Sequence, residues 1–225
     1  VAMLTPQCWT LSQKAALFQQ MAKRHNRYGY AAAALLPRPA NFSSVGRQLV
    51  PSDNDGSITA YYAASQIFRR AAAMPHEAEG VVAEVENSTG AIAFLQDVTG
   101  PPTGIRSMAR AVVRLGDPHD QKRAWYNSST SPGWVWKGDC SSDEVVGHVF
   151  AWAALAHVAS PAADRTRAAH YLERLIGGVL DHNFTLLDAG TGRPTTWGRW
   201  DPLWINGQSG RGGGPGTVGG REHSD

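Results

Sequence analysis

Hydrophobic residues recur with helical spacing in five segments of this chain of 225 residues. The segments cover approximately residues 10–24, 57–73, 77–98, 142–159 and 162–182. In the first, third and fifth segments the apolar residues form one stripe, and polar residues occupy the remaining faces. The second and fourth are apolar on nearly all faces, which is typical of helices buried on several sides. The pattern therefore predicts an all-α fold in which amphipathic and buried helices alternate.

Tight turns and long connections also alternate along the chain. Met74-Pro75 and Ser160-Pro161 leave only short turns, and helices joined by short turns pack antiparallel. Repeating such a hairpin suggests an α/α toroid, with the buried helices inside and all long loops on one rim. The alternative is a plain helical array whose loops carry ordinary turn residues. Within the long connections, residues 105–115 suit a short helix or an extended piece, and Phe184–Leu187 suits a short strand.

Acidic residues concentrate where long connections meet helix starts. Ser141 followed by Glu144 is a capping-box pattern at the start of the helix near residue 142. Asp139 and Asp143 lie beside the same helix start, where the positive end of the helix dipole favours carboxylates. The run Asp53-Asn54-Asp55-Gly56 marks the start of the helix near residue 57. These acids are either ordinary caps and turn formers or the acids of a binding site.

Five of the eight tryptophans lie in loop-like stretches. They are Trp134, Trp136, Trp197, Trp200 and Trp204. Loop tryptophans either pack the loop or line a binding surface, and carboxylates beside indole rings are typical of a sugar site. The arrangement favours carbohydrate as the ligand.

Bulk composition excludes several other classes. The chain is 42% hydrophobic and 18% charged, with a formal net charge of +2 and no basic stripe, so a nucleic-acid partner is not expected. No apolar run is long enough to span a bilayer, so a membrane partner is not expected either. Cys8 and Cys140 lack CxxC partners, and two free thiols are favoured over a single bridge. The glycine-rich stretch 207–225 has no periodicity and predicts a disordered tail after a domain of residues 1–206.

Four motifs resemble those of a known family. They read RHNRxG at residues 24–29, DNDG at 53–56, W-K-G-D-x-S-S-D-E-x-x-G-H at 136–148, and G-x-P-T-x-W-G-x-W-x-P at 192–202. They are similar to motifs of the six-hairpin glycosidase-like proteins, whose fold is an (α/α) toroid. The resemblance covers most of residues 24–206, and Cys140 stands where threonine is expected. A closed toroid of this type has about twelve helices and the pattern here predicts five, so the resemblance implies an incomplete (α/α)6-toroid-like array, that is, a C-terminally truncated version.

The resemblance and the acids together suggest a glycoside hydrolase-like enzyme, which needs two carboxyl groups facing each other. Asp143 is the expected base at its helix N-terminus, and Asp55 is the expected acid if tryptophan packing raises its pKa. Asp53 and Asp139 are the next candidates. The candidate substrate-binding residues are Trp136, Glu144, His148, Trp197, Arg199, Trp200 and Arg27. His148 is alternatively a core histidine, and Arg199 would pair with either a uronate or Asp201.

Three other functions remain open at this stage. A non-catalytic sugar-binding module needs the tryptophans without the acids. A polysaccharide lyase would use Tyr61, His148 and Arg199, and a helical interaction scaffold would use none of these residues. No cofactor is expected, and the sequence has neither a P-loop nor an H-E-x-x-H motif. The DNDG run resembles the opening of a calcium loop but lacks the glutamate at the twelfth position, so a metal ion is not expected either. The expected partner is an oligo- or polysaccharide.

Overall fold

The computed structural model describes residues 9–38, 47–75, 77–100, 105–121, 124–158 and 161–207. The described residues form six helices and nine short strands, so the prediction of an all-α, incomplete toroid-like array is wrong. The helices are α1 (Leu11–Lys23), α2 (Asp55–Ala72), α3 (Ala78–Asp97), α4 (Ser142–Val158), α5 (Ala162–Asp181) and α6 (Pro202–Ile205). The strands are β1 (Asn26–Arg27), β2 (Tyr30–Ala31), β3 (Ala33–Leu35), β4 (Gln48–Val50), β5 (Val112–Arg114), β6 (Trp125–Asn127), β7 (Trp134–Lys137), β8 (Thr185–Leu187) and β9 (Pro194–Arg199).

The strands belong to the long connections and pair antiparallel. The sheets are β1–β2, β3–β4, β5–β7–β6 and β8–β9. In the three-stranded sheet, Trp136 of β7 lies opposite both Val112 of β5 and Tyr126 of β6. Most of these strands have only two or three residues, too few to show the alternating pattern that identifies a strand in a sequence. The hydrophobic pattern of the sequence therefore did not predict most of these strands. Residues 105–115 contain the extended strand β5, and the short strand predicted at 184–187 is confirmed as β8.

The five long helices lie where the periodicity predicts them, with ends shifted by one or two residues. Helix α2 begins at Asp55, so the DNDG run contributes its first turn. Ser160 of the second predicted turn, Cys8 and residues 208–225 of the predicted tail lie outside the described residues. Cys140 is a buried free thiol, and burial raises its pKa well above the usual value. No helix in the described ranges has the length and apolar character required to cross a membrane.

Helices α2 and α4 pack side by side with their N-termini at the same end. The carboxylate of Glu144 on α4 lies against Gly56 at the start of α2, and Gly147 one turn later lies against Ser57. Small residues further along both helices, including Ala60 and Ala151, continue this contact within the main core cluster. The close approach of α2 and α4 brings the loops that precede them to one end of the molecule.

Helix α1 departs from the sequence expectation. Thr10 caps it in a full capping box with Gln13, but none of its residues is buried. Leu11, Phe18 and Met21 of its predicted apolar stripe are all exposed. The hydrophobic period therefore predicted the helix correctly without predicting burial.

Candidate functional site

A single buried arginine joins the loops that precede α2 and α4. The Nε of Arg110 donates to the carbonyl oxygen of Asp139 at 2.5 Å, and its Nη1 donates to the carbonyl oxygen of Asp53 at 2.8 Å. The motif at residues 192–202 joins them through a parallel bridge between Ser141 and Trp197 of β9. The structure thus brings the loop before α2, the loop before α4 and strand β9 together.

A buried lysine forms ion pairs with two carboxylates at this end of the molecule. The Nζ of Lys137, the last residue of β7, lies 2.7 Å from Oδ1 of Asp53 and 2.7 Å from Oδ2 of Asp120. The two carboxylate oxygens are therefore no more than twice that distance apart. Lys137 is 1% exposed, whereas the side chains of Asp53 and Asp120 are 40% and 29% exposed. The carboxylates reach solvent while the cation that pairs with them does not. We call Asp53, Asp120, Asp139 and Asp143 the acidic rim.

A groove of about 550 Å³ opens beside Asp53 and Asp120. Its lining combines polar and apolar side chains: Leu35, Gln48, Val50, Pro51, Ser52, Asp53, Pro118, His119 and Asp120. The ring of His119 packs against Trp125 with a centroid separation of 4.6 Å, and its Nδ1 lies 2.9 Å from the carbonyl oxygen of Asp117. The groove therefore offers two carboxylates, an amide, a hydroxyl and an imidazole to one ligand.

Asp55 lies behind the groove and is 1% exposed. Its carboxylate accepts hydrogen bonds from the backbone N–H of Ser52 at 3.0 Å and from the Ser52 hydroxyl at 2.6 Å. Burial raises the pKa of Asp55 to about 6, and the hydrogen bonds from Ser52 oppose the rise. The pKa of Asp55 is therefore raised, as expected, and burial of the carboxyl group is the largest cause. The carboxyl group is also hydrogen-bonded to Ser52.

The other two candidate acids occupy different environments. Asp143 is exposed in the first turn of α4 and accepts a short hydrogen bond from the Ser141 hydroxyl. Asp139, at φ +52°, accepts hydrogen bonds from the N–H and the hydroxyl of Thr196 at 2.6 and 2.9 Å. Its own N–H donates to the carboxylate of Asp188 at 2.5 Å. Asp139 therefore ties the loop before α4 to β9.

The predicted capping box at the start of α4 is wrong. Glu144 is fully buried, its carboxylate lies next to Ser57, and it makes no hydrogen bond to the backbone N–H of Ser141. The nearby Ser57 hydroxyl donates to the carbonyl oxygen of Asn54. Burial raises the pKa of Glu144 well above its usual value, and the charge of Arg110 opposes the rise. Packing of α4 against α2 has drawn this side chain into the interior, so it is not available to contact a substrate.

His148, one turn after Glu144, is also fully buried. Neither ring nitrogen has a hydrogen-bond partner in the part of the chain that the structure describes. Burial lowers the pKa of His148 to about 3. The structure supports the alternative of a core histidine.

The remaining predicted binding residues are mostly structural. Trp136 is 3% exposed in the core, which rules out stacking on a sugar, and Trp200 packs against another core cluster. Trp197, in contrast, is 58% exposed. Arg199 pairs with Asp201 at 3.1 Å, the alternative noted for it, and lies over the ring of Trp204. Arg27 pairs with Asp117 and donates to the carbonyl oxygen of Val112.

The residues suggested for a lyase do not share one environment. Tyr61 lies on the outer face of α2 against Phe150, His148 is in the core, and Arg199 is paired with Asp201. No group of three or more His, Cys, Asp or Glu residues in the described ranges is arranged to hold a metal ion.

Four residues of the site were missed in the sequence. They are Arg110, Asp120, Lys137 and Asp188. Arg110 was detectable as the one charged residue inside the apolar run from Met108 to Val113. Asp188 follows the short apolar strand β8, and its carboxylate also accepts from the N–H groups of Gly190 and Thr191. An acid directly after a buried strand is a signal that could have been used.

A scan against protein-family models, a search of curated proteins and a search of solved structures each found no match. The resemblance to six-hairpin glycosidase-like proteins therefore stays a prediction based on the four sequence motifs. Three of those motifs supply residues to the acidic rim or to the bridge between Ser141 and Trp197.

Gly56 is the residue that makes room for Glu144. A Cβ at Gly56 would lie well inside 3.0 Å of Oε2 of Glu144, so we expect Gly56→Ala to lower the free energy of unfolding by about 2 kcal/mol. In a Glu144→Ala background the same change should cost less, because the colliding carboxylate is gone. Urea unfolding of the two single variants and the double variant measures this coupling.

The matched control is Gly80→Ala in the first turn of α3, where a Cβ would meet no atom within 4 Å. We expect this variant to be neutral or slightly stabilised. An equal cost of Gly56→Ala with and without Glu144 would show that the two residues do not interact as described.

Proposed function

We propose that this chain is a glycoside hydrolase-like domain that binds a carbohydrate in the groove beside Asp53 and Asp120. The observation that supports the proposal is the pair of partly exposed carboxylates within 2.7 Å of one buried lysine. Retaining glycosidases hold their two carboxyl groups about 5–5.5 Å apart. The two lysine-bound oxygens are separated by at most twice 2.7 Å, a limit that permits this spacing.

The surroundings of the pair suit a sugar. Gln48, Ser52 and His119 line the same groove and offer hydrogen-bond donors and acceptors to hydroxyl groups. Trp197 does not line the groove, but it exposes a large apolar ring on the strand that bridges to Ser141, and such rings stack on the apolar face of a pyranose. The proposal thus moves the catalytic pair from Asp55 and Asp143 to Asp53 and Asp120.

One observation favours a second candidate, a non-catalytic carbohydrate-binding module. Hydrolysis requires one carboxyl group to be protonated while the other is ionised. Asp53 and Asp120 each form an ion pair with Lys137, and an ion pair joins a cation to an ionised carboxylate. Two ionised carboxylates still bind sugar hydroxyl groups, so binding without turnover is the result that would distinguish this candidate.

The test compares Asp53→Asn and Asp120→Asn with the wild type on a panel of oligosaccharides, measuring both binding and release of reducing sugar. We expect each substitution to lower turnover by about 100-fold or more, the usual contribution of an acid or base. Glu173→Gln, on the exposed face of α5, is the matched control and should leave turnover unchanged. Circular dichroism establishes that each variant is folded.

Each outcome decides between the candidates. Turnover that falls in both rim variants supports the hydrolase. Binding that is lost in the variants, with no turnover in the wild type, supports the binding module. Wild-type protein that neither binds nor cleaves any glycan on the panel contradicts both.

A further inference from the structure

Arg110 contacts the loops that carry two of the four acidic-rim residues, Asp53 and Asp139. Its side chain donates to the carbonyl oxygens of Asp53 and Asp139, and its own carbonyl oxygen accepts from the N–H of Gly56 at 3.1 Å. Its N–H donates to the carbonyl oxygen of Lys137 at 3.0 Å. One residue therefore links the loop before α2, the end of β7 and the loop before α4.

The side chain of Arg110 is suited to fixing a distance. A guanidinium group is planar, and its Nε and Nη1 hydrogens have fixed relative directions. Two carbonyl oxygens that bind these nitrogens are therefore held in one relative position. A lysine carries its charge at a single atom on a flexible chain and cannot impose the same geometry.

The burial of Arg110 makes the two loops depend on it. Arg110 is 3% exposed, and a buried cation is costly unless hydrogen bonds satisfy it. The carbonyl oxygens of Asp53 and Asp139 supply these bonds. If the guanidinium is removed, both carbonyl groups lose the bond from Arg110, and residue 110 keeps only its backbone bonds to Gly56 and Lys137.

We propose that Arg110 is the positioning residue of the acidic rim, and that its guanidinium sets the separation between the Asp53 loop and the Asp139 loop. Any effect of Arg110 on turnover rests on the proposed function, but its effect on the loops does not. The two can therefore be tested separately.

The first experiment is hydrogen exchange by mass spectrometry on the full chain with Arg110→Met and Arg110→Lys. The Gly56 amide donates to the backbone carbonyl of residue 110 and the Asp139 amide donates to Asp188, so Arg110→Met leaves both bonds possible and their exchange reports opening of the loops themselves. Because the guanidinium bonds that join the two loops are lost, we expect Arg110→Met to accelerate exchange about tenfold or more in both loops. Protection of α5 should stay unchanged. Arg110→Lys should retain the melting temperature better than Arg110→Met, yet leave at least one loop accelerated.

Arg174→Met is the matched control. Arg174 is half-buried and also donates to a backbone carbonyl, that of Gln96 at 2.9 Å, but at a different part of the core. This variant should leave exchange in the rim loops unchanged. Unaltered rim exchange in Arg110→Met, or an equal acceleration across α5, would overturn the proposal, because Arg110 would then be an ordinary core residue.

The second experiment applies once a glycan substrate is found. Arg110→Lys should lower kcat by about 100-fold, as a displacement of about 1 Å can do, and change KM much less. An unchanged kcat alongside accelerated loop exchange would show that the loop separation does not matter for turnover, and would remove the catalytic part of the proposal. Absence of activity in the wild type would contradict the proposed function alone, because the exchange result still decides the role of Arg110.

Discussion

Replacing Gly178 by alanine is expected to lower the free energy of unfolding by about 3 kcal/mol or more. A Cβ at Gly178 on α5 would lie well inside 3.0 Å of the backbone carbonyl oxygen of Arg106. A backbone atom cannot move aside as a side-chain end can. The segment that starts near Arg106 leads to Arg110, so the displacement should also reach the acidic rim. Chemical denaturation measures the loss of stability.

The same substitution at Gly90 on α3 provides the control. Gly90 is exposed in the middle of a helix, and a Cβ there would meet no atom within 4 Å. Alanine is a better helix former than glycine by about 1 kcal/mol, so Gly90→Ala should stabilise the protein by up to that amount. If both variants changed stability equally, the close approach of Arg106 to α5 described above would be incorrect.

Lowering the pH from 7 to 4 is expected to reduce the free energy of unfolding of the wild type by about 3 kcal/mol more than that of His148→Leu. Burial lowers the pKa of His148 from 6.5 to about 3 in the folded chain. The unfolded chain therefore binds a proton more readily than the folded chain over this range. The stability that the neutral ring provides is complete above pH 6.5 and is lost as the pH falls from 6.5 to 3.

Asp55 acts in the opposite direction, because burial raises its pKa to about 6. Its protonation favours the folded chain as the pH falls from 6 to 3.8, and Glu144 contributes with the same sign. Both groups are present in the wild type and in His148→Leu, so their effects cancel when the two proteins are compared. Denaturation curves at pH 7 and pH 4 give the difference, and equal pH dependence in both proteins would contradict a buried neutral His148.

The observed roles differ most from the sequence-based expectation in the acid-rich segment from residue 134 to residue 148. The sequence places its acids beside a helix start, which is correct. Glu144 nevertheless lies in the core and Asp139 ties two loops together, so neither has the role expected from its position. Asp53, predicted only as a secondary candidate, lies in the groove with Asp120, which the sequence did not single out.

The sequence by itself determined the five long helices and the order of the hairpins. Helical periodicity, prolines and glycines are local features, and the backbone responds to them within a few residues. Only the tertiary structure decided which polar groups are buried and which reach solvent. Arg110, Lys137, Glu144 and His148 are buried by residues that are distant in the sequence. The four small sheets were decided at the same level, because most of their strands are too short to show a period and form only when a partner strand supplies the hydrogen bonds.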